Sequence, residues 1–394
     1  MKFIHTSDWH LGHSLYGYDR IDEQRRMLDD IVALCRRHLP DALLVSGDVF
    51  DSPQPSAAAQ KLLTDCMVKL RRECPDMKII ITAGNHDSAS RHEVHSSLWA
   101  LAGVDMIGSW QLPDEGAKNL IELPGKGFVL AIPYVNSRFM PDGFFATMLE
   151  SVGRINTASL PVVMMAHIAV SGSDTRGHDT DEEEKIIGNI EAVPLQAIGE
   201  GYDYLALGHI HRAQKVPGSQ GNVCARYSGA PIPVGFDEDY CHSVALVEVA
   251  GHGGSVSVEL LPVDALRPLI TIPSKGSVTW NEAIGMLAAF PDDEEAYIRL
   301  NVTYGADIPA DCRGVAVQTC AGKKCRFCIV NMCRPERDAG SGSLSKLSFG
   351  ELRQASPSDI ARRYAEAAGE IFDDTLAEML AVAIANVEQE KREQ

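Results

Sequence analysis

The chain has 394 residues, 45% hydrophobic and 23% charged, which are globular proportions and too much length for one ordinary domain. Its net charge of −18 argues against nonspecific attraction to nucleic acid through a basic surface, since neutralising phosphates takes lysine and arginine. Ten cysteines over this length are not a disulfide scaffold, and the longest strongly apolar stretch, around Leu376 to Val387, is far short of a membrane span.

The N-terminus runs straight into a strand at Phe3-Ile4 without the apolar core of a signal peptide, so a cytoplasmic location and no membrane association are expected. Helical spacing follows over Ile21 to Leu39, closed by Pro40. A strand over Asp41 to Val45, a helix over Pro55 to Cys74, a strand over Met77 to Thr82 and a helix over Arg91 to Leu101 come next. Strands alternating with helices of this length predict βαβ units and a mainly parallel sheet.

Later apolar segments are often joined by loops alone: Phe128 to Pro133, Pro161 to His167, Tyr202 to Leu207, Ser243 to Val249 and Ser255 to Leu261. They are expected to form a second, partly antiparallel sheet, giving an α/β protein with a four-layer α/β/β/α sandwich. Gly251 to Gly254 reads as a turn. Composition shifts after Pro268, and residues 270 to 335 read as a small α/β domain around a helix over Trp280 to Phe290. Gly340 to Ser343 is a hinge. Two C-terminal helices follow, Ser358 to about Phe372 and, from a capping box at Thr375, to about Glu388. The expected domains are 1–267, 268–340 and 341–394.

Five of the predicted strands run into segments rich in metal-binding side chains: Asp8-Trp9-His10, Gly47 to Asp51, Gly84 to Asp87, Ala166-His167 and Gly208 to His211. Strands ending together deliver distant side chains to one rim. Oxygen and imidazole donors without thiolate suit a pair of divalent ions, which clamp an in-line displacement when about 3.5–4 Å apart. Asp48, at a tight turn allowed by Gly47, is the candidate bridge. Asp8, His10 and one of His209 and His211 would complete one shell; Asn85, His167 and the other histidine the second. In an extended His-x-His both side chains share one face.

His86 is placed to meet the scissile phosphate, with Asp87 orienting its ring. Asp51 either orders the substrate side or caps the next helix. Cys320, Cys325, Cys328 and Cys333 lack the paired spacing of a zinc ribbon, and a strand through Cys325 and Cys328 would turn them to opposite faces. Lys323, Lys324, Arg326, Arg334 and Arg337 form the densest basic patch, read either as a DNA-guiding surface or as a solvated face.

Together the segments His5 to Gly12, Gly47 to Ser52, Gly84 to Ser88, Ile132 to Val135, Tyr204 to His211 and Arg226 to Pro231 resemble the calcineurin-like metallophosphoesterases. Within them, the chain is similar to the SbcD-type nuclease subunits of bacterial SbcCD complexes. The resemblance implies a metallophosphoesterase sandwich with a capping domain, and a nuclease acting on DNA ends and hairpins in repair and recombination. It implies manganese at both metal positions, an SbcC-type coiled-coil ATPase partner docked on the C-terminal helices, and a homodimer. It assigns Asp8, His10, Asp48 and His211 to one ion, Asp48, Asn85, His167 and His209 to the other, and His86 to the phosphate. Other members would hydrolyse small or cyclic nucleotides, and a silent DNA-holding scaffold is a third reading.

Overall fold

The computed structural model describes residues 1–111, 118–136, 139–176, 192–219, 224–305 and 307–333, with nine scattered positions between 358 and 380. Two compact units divide the chain, Met1–Met332 and Cys333–Gln394. The helices expected beyond Ser358, the hinge at 340–343 and Arg334 and Arg337 lie outside the described residues, scattered positions aside.

The first unit is built on two six-stranded sheets. In the first, the strands lie in the order Val256–Pro262, Ser243–Val249, Lys2–Thr6, Ala42–Ser46, Lys78–Thr82, Val104–Ile107. The last four are parallel. Alternation along each strand decides its two environments. Ile4, Leu43, Val45, Ile79 and Ile81 meet the apolar stripes of the helices Ile21–His38 and Ala57–Glu73. Phe3, Ala42, Leu44 and Ile80 turn the other way, against Val129, Ala131, Val163, Met165 and Tyr204 of the second sheet. Both faces being buried, the strands read as continuous apolar runs.

The second sheet runs Gln214–Lys215, Cys224–Tyr227, Tyr204–Gly208, Val162–His167, Gly127–Ala131, Leu120–Leu123. Its outer face buries Leu130, Met164, Leu205 and Leu207 beneath Phe144, Met148 and Val152 of the helix Phe144–Ile155. Helix, sheet, sheet and helix thus stack in four layers. A three-stranded sheet of Leu269–Ile272, Tyr297–Thr303 and Arg326–Cys333 packs with the helices Trp280–Ala288 and Cys312–Thr319 around its own core. Its attachment centres on buried Glu23, which accepts from Arg267 at 2.7 Å and the Tyr297 hydroxyl at 2.9 Å.

Two expectations are corrected. Ser243–Val249 and its hairpin partner belong to the first sheet, antiparallel beside Lys2–Thr6, while the second sheet is partly antiparallel as expected, at its two edges, around four parallel middle strands. A strand apolar on both sides fits either sheet, so periodicity alone could not choose. The single helix over 91–101 is two short ones, Ala89–Glu93 and Ser96–Leu101. Glu93 instead accepts from the backbone of Gly108 and Ser109 and pairs with Lys118, which fixes the first helix's end to the neighbouring loop.

Candidate metal centre

Five strands of the two sheets, Lys2–Thr6, Ala42–Ser46, Lys78–Thr82, Val162–His167 and Tyr204–Gly208, end at one rim. Of the non-glycine residues with positive φ, four sit here: Asp8 (54°), His10 (44°), Asp48 (48°) and His209 (96°). Each such conformation costs on the order of 1–3 kcal/mol, so the surrounding packing must enforce it. Glycines let the backbones close in. A Cβ on Gly84 would stand 2.0 Å from Asp48 Oδ1, and one on Gly208 1.8 Å from the Ser46 carbonyl.

Asp48 lies at the centre. Its Oδ2 is 3.2 Å from His167 Nε2 and 3.9 Å from His10 Nε2, and its Oδ1 accepts the backbone N–H of His86 at 2.9 Å. His10 Nε2 faces His211 Nε2 across 3.2 Å. On the other side, Asn85 Oδ1 stands 2.9 Å from His167 Nε2 and 3.1 Å from His209 Nδ1. Asp8 belongs to two compact triads, with His10 and His211 and with Asp48 and His167. All seven expected ligands therefore converge. Asp48 spans the two halves as the sequence reading expects, and Asp8 also reaches both.

This cluster fits a pair of divalent cations on its own chemistry. Asp8, His10, Asp48, His167, His209 and His211 are all at most 6% exposed. Two imidazole nitrogens stand 3.2 Å apart out of water beside carboxylates, a concentration of nitrogen and oxygen donors that suits divalent cations. Tautomers agree: His167 Nδ1–H donates to the Ser46 carbonyl at 2.8 Å, and His211 Nδ1–H to Glu238 at 3.0 Å, so each presents Nε2 to the cluster. Burial alone would raise the Asp48 carboxyl, yet the His167, His10 and His86 imidazoles hold it well below the usual carboxylate range. Against burial, Asp48 lifts His167, and Glu238 lifts His211, each to about 9.

The predicted catalytic trio separates. His86 Nδ1 meets the Asp51 carbonyl at 3.1 Å. The Asp87 carboxylate accepts from the backbones of Val49, Phe50 and Gly84, which makes it a brace for the loops that carry Asp48 and Asn85. Asp51 caps no helix, because Ser56 caps Ala57–Glu73 through Ala59 N–H. Its Oδ1 lies 3.4 Å from His10 Nδ1.

Further residues support these side chains. Ser228 and Ser7 hydroxyls lie 2.7 Å apart, and Ser7 donates to Asp8 Oδ2 at 2.5 Å. Gln24 holds both the His10 carbonyl and the Gly12 N–H. Glu238, in an irregular loop, could be found only by its contact with His211.

Away from the rim, Cys320 and Cys325 sit 3.8 Å apart in the small sheet's core, whereas Cys328 belongs to a separate apolar cluster with Leu15, Phe236 and Tyr297. The strand does turn Cys325 and Cys328 apart, and no four-thiol site forms among the described residues. Lys323 is spent on Asp292 and the Phe290 carbonyl, and Arg326 on Tyr297 and the Tyr18 ring. Of the described patch residues, Lys323 and Arg326 are thus paired within the protein, and Lys324 is exposed.

Comparison with known proteins agrees with the geometry. Residues 1–213 match the calcineurin-like phosphoesterase family. The SbcD component of the nuclease SbcCD from Rhodobacter capsulatus is 31% identical over 325 residues, 75% of this chain and 78% of that protein. Its counterpart in Bacillus subtilis is 29% identical over 77% of this chain and 79% of its own length, and that of Escherichia coli 28% over 69% and 70%.

Proposed function

The chain belongs to the calcineurin-like phosphoesterase family, among relatives of the SbcD-type nuclease subunits, and from that premise we propose that it is a metal-dependent nuclease cleaving the phosphodiester bonds of DNA. One observation carries the reading: four imidazoles, two carboxylates and an amide oxygen crowd a buried rim, with His86 next to the central Asp48.

When bound, two divalent ions supply Lewis acidity and a lowered pKa for an attacking water. Asp8, His10, Asp48 and His211 would hold one, and Asp48, Asn85, His167 and His209 the other, with manganese the metal its donors and family favour. The chain's own part is positioning and proton handling. Ser46 and Glu238 fix the imidazole tautomers, and Asp87 fixes the loops. His86, steadied at Nδ1 by the Asp51 carbonyl, delivers a proton from Nε2 to the departing 3′ oxygen.

The rest of the reading follows the family. The substrate is duplex DNA at ends and hairpins, in repair and recombination, with an SbcC-type coiled-coil ATPase as partner docked on residues 356–390. Residues 268–340 act as a capping domain, and the active form is a cytoplasmic homodimer. No helix of the described residues is long and apolar enough to cross a membrane. The test is cleavage of hairpin and blunt duplex DNA by the purified chain, with and without partner, in Mn²⁺ against Mg²⁺. Cleavage that needs metal and vanishes in Asp48→Asn is expected; DNA left intact under every condition would overturn the proposal.

A further inference from the structure

A cleft of about 370 Å³ opens from His10, His86 and His211 and runs beneath a two-residue hairpin. That hairpin pairs Ser14–Leu15 with Tyr18–Asp19, so Tyr16 and Gly17 form its turn, with φ of 49° and 86°. Positive φ at both central positions makes a primed turn, where Asn-Gly is preferred and tyrosine is strained. The aromatic ring sits there nonetheless, 43% exposed. It faces Phe236 at 6.0 Å between centroids, and the Arg299 guanidinium also stacks on Phe236, at 5.1 Å. Arg299 is rigid: it donates to Asp237, the Phe236 carbonyl and Thr271 Oγ1.

The cleft's charges narrow what it takes. Arg299 is neutralised by Asp237, and Asp51 adds a second carboxylate, so away from the metal cluster the lining has no surplus positive charge to hold further phosphates. With a net charge of −18, the chain has little cationic surface to hold a polyanion. Flat apolar rings beside the reacting centre offer the other means of gripping a nucleic acid, because every base has a π-face.

Resting on the phosphodiesterase reading, the geometry points to the exposed Tyr16 ring, backed by the buried Phe236 and by Arg299, as a stacking clamp that holds an unpaired nucleobase next to the scissile phosphate. The rim then favours unstacked nucleotides, as at a frayed end or a hairpin loop, over paired duplex.

The experiment uses the full chain and short single-stranded oligodeoxynucleotides, one carrying 2-aminopurine and one of equal length with abasic sugars. Binding quenches 2-aminopurine fluorescence in the parent, and Tyr16→Ala removes the quench. The ratio of kcat/KM on intact over abasic strands falls by about 5- to 150-fold, the range base–aromatic stacking spans, while Tyr16→Phe keeps it. Tyr16→Asn suits the turn, so it loses the ratio without losing thermal stability, which separates stacking from a fold defect. An unchanged ratio, or equal loss on both strands with lowered stability, overturns the clamp. Quenching without cleavage by the parent overturns the nuclease reading and leaves the clamp standing.

Discussion

Replacing Glu238 with glutamine tests whether the charge behind His211 matters to the centre. The amide would keep the shape and an oxygen where Oε1 now stands, 3.0 Å from Nδ1, so only the charge is lost. A carboxylate behind a ligating imidazole raises its basicity, and removing such a partner costs about 10- to 100-fold in metal affinity, or about 1.4 to 2.8 kcal/mol. The metal-free protein gives an independent reading. Overcoming burial, Glu238 raises His211 from 6.5 to about 9, so between these values the folded state binds a proton that the unfolded state does not. That stabilisation, at most about 3 kcal/mol, is complete below pH 6.5 and lost as pH rises through 9. His242, 3.7 Å from the other oxygen, is held down by burial and does not replace it. Calorimetric titration with Mn²⁺ and urea unfolding of the metal-free Glu238→Gln variant at about pH 6 and pH 10 check both. Parental affinity together with parental stability at the lower pH would refute the reasoning.

Other expectations follow from single contacts. His86→Ala keeps both ions but loses at least about 100-fold in turnover, read by calorimetry beside a cleavage assay; normal cleavage would remove His86 from the chemistry. Gly84→Ala drives a methyl into the Asp48 carboxylate and weakens ion binding, whereas Gly153→Ala, in open space on a helix, gains about 0.5–1 kcal/mol by denaturant melting. Burial, aided by the Arg226 charge, pushes His5 down to about 3, and its Nδ1 shares a hydrogen bond with the Tyr204 hydroxyl at 3.0 Å. Stability is therefore lost as pH falls from 6.5 toward 3, by up to about 5 kcal/mol. His5→Asn should flatten that acid limb, and an unaltered limb would show that another group carries it.

The clustering of the side chains at the rim was legible because each lies at or just beyond the end of a buried strand, and strand ends are where a parallel sheet exposes side chains to chemistry. Asp8, Asp48, Asn85 and His167 could be found in the sequence for that reason. Glu238 and Gln24 could not, since their value lies in contacts with other segments of the chain and nothing local marks them. Asp87 was visible but its task was misjudged: proximity in sequence favoured its neighbour's ring, while three backbone N–H groups claimed both its oxygens. The sheet assignment of Ser243–Val249 failed because apolar character tells a strand that it is buried, not between which layers.

The positive φ angles at Asp8, His10, Asp48 and His209 have a wider consequence. Left to themselves, these turns would relax and scatter the side chains they carry, so their alignment is maintained by the two sheets and the helices outside them. Mutations deep in those layers, well away from any phosphate, can therefore silence the enzyme while it stays folded. Selection for activity here acts on the rigidity of the scaffold as much as on the groups that touch substrate.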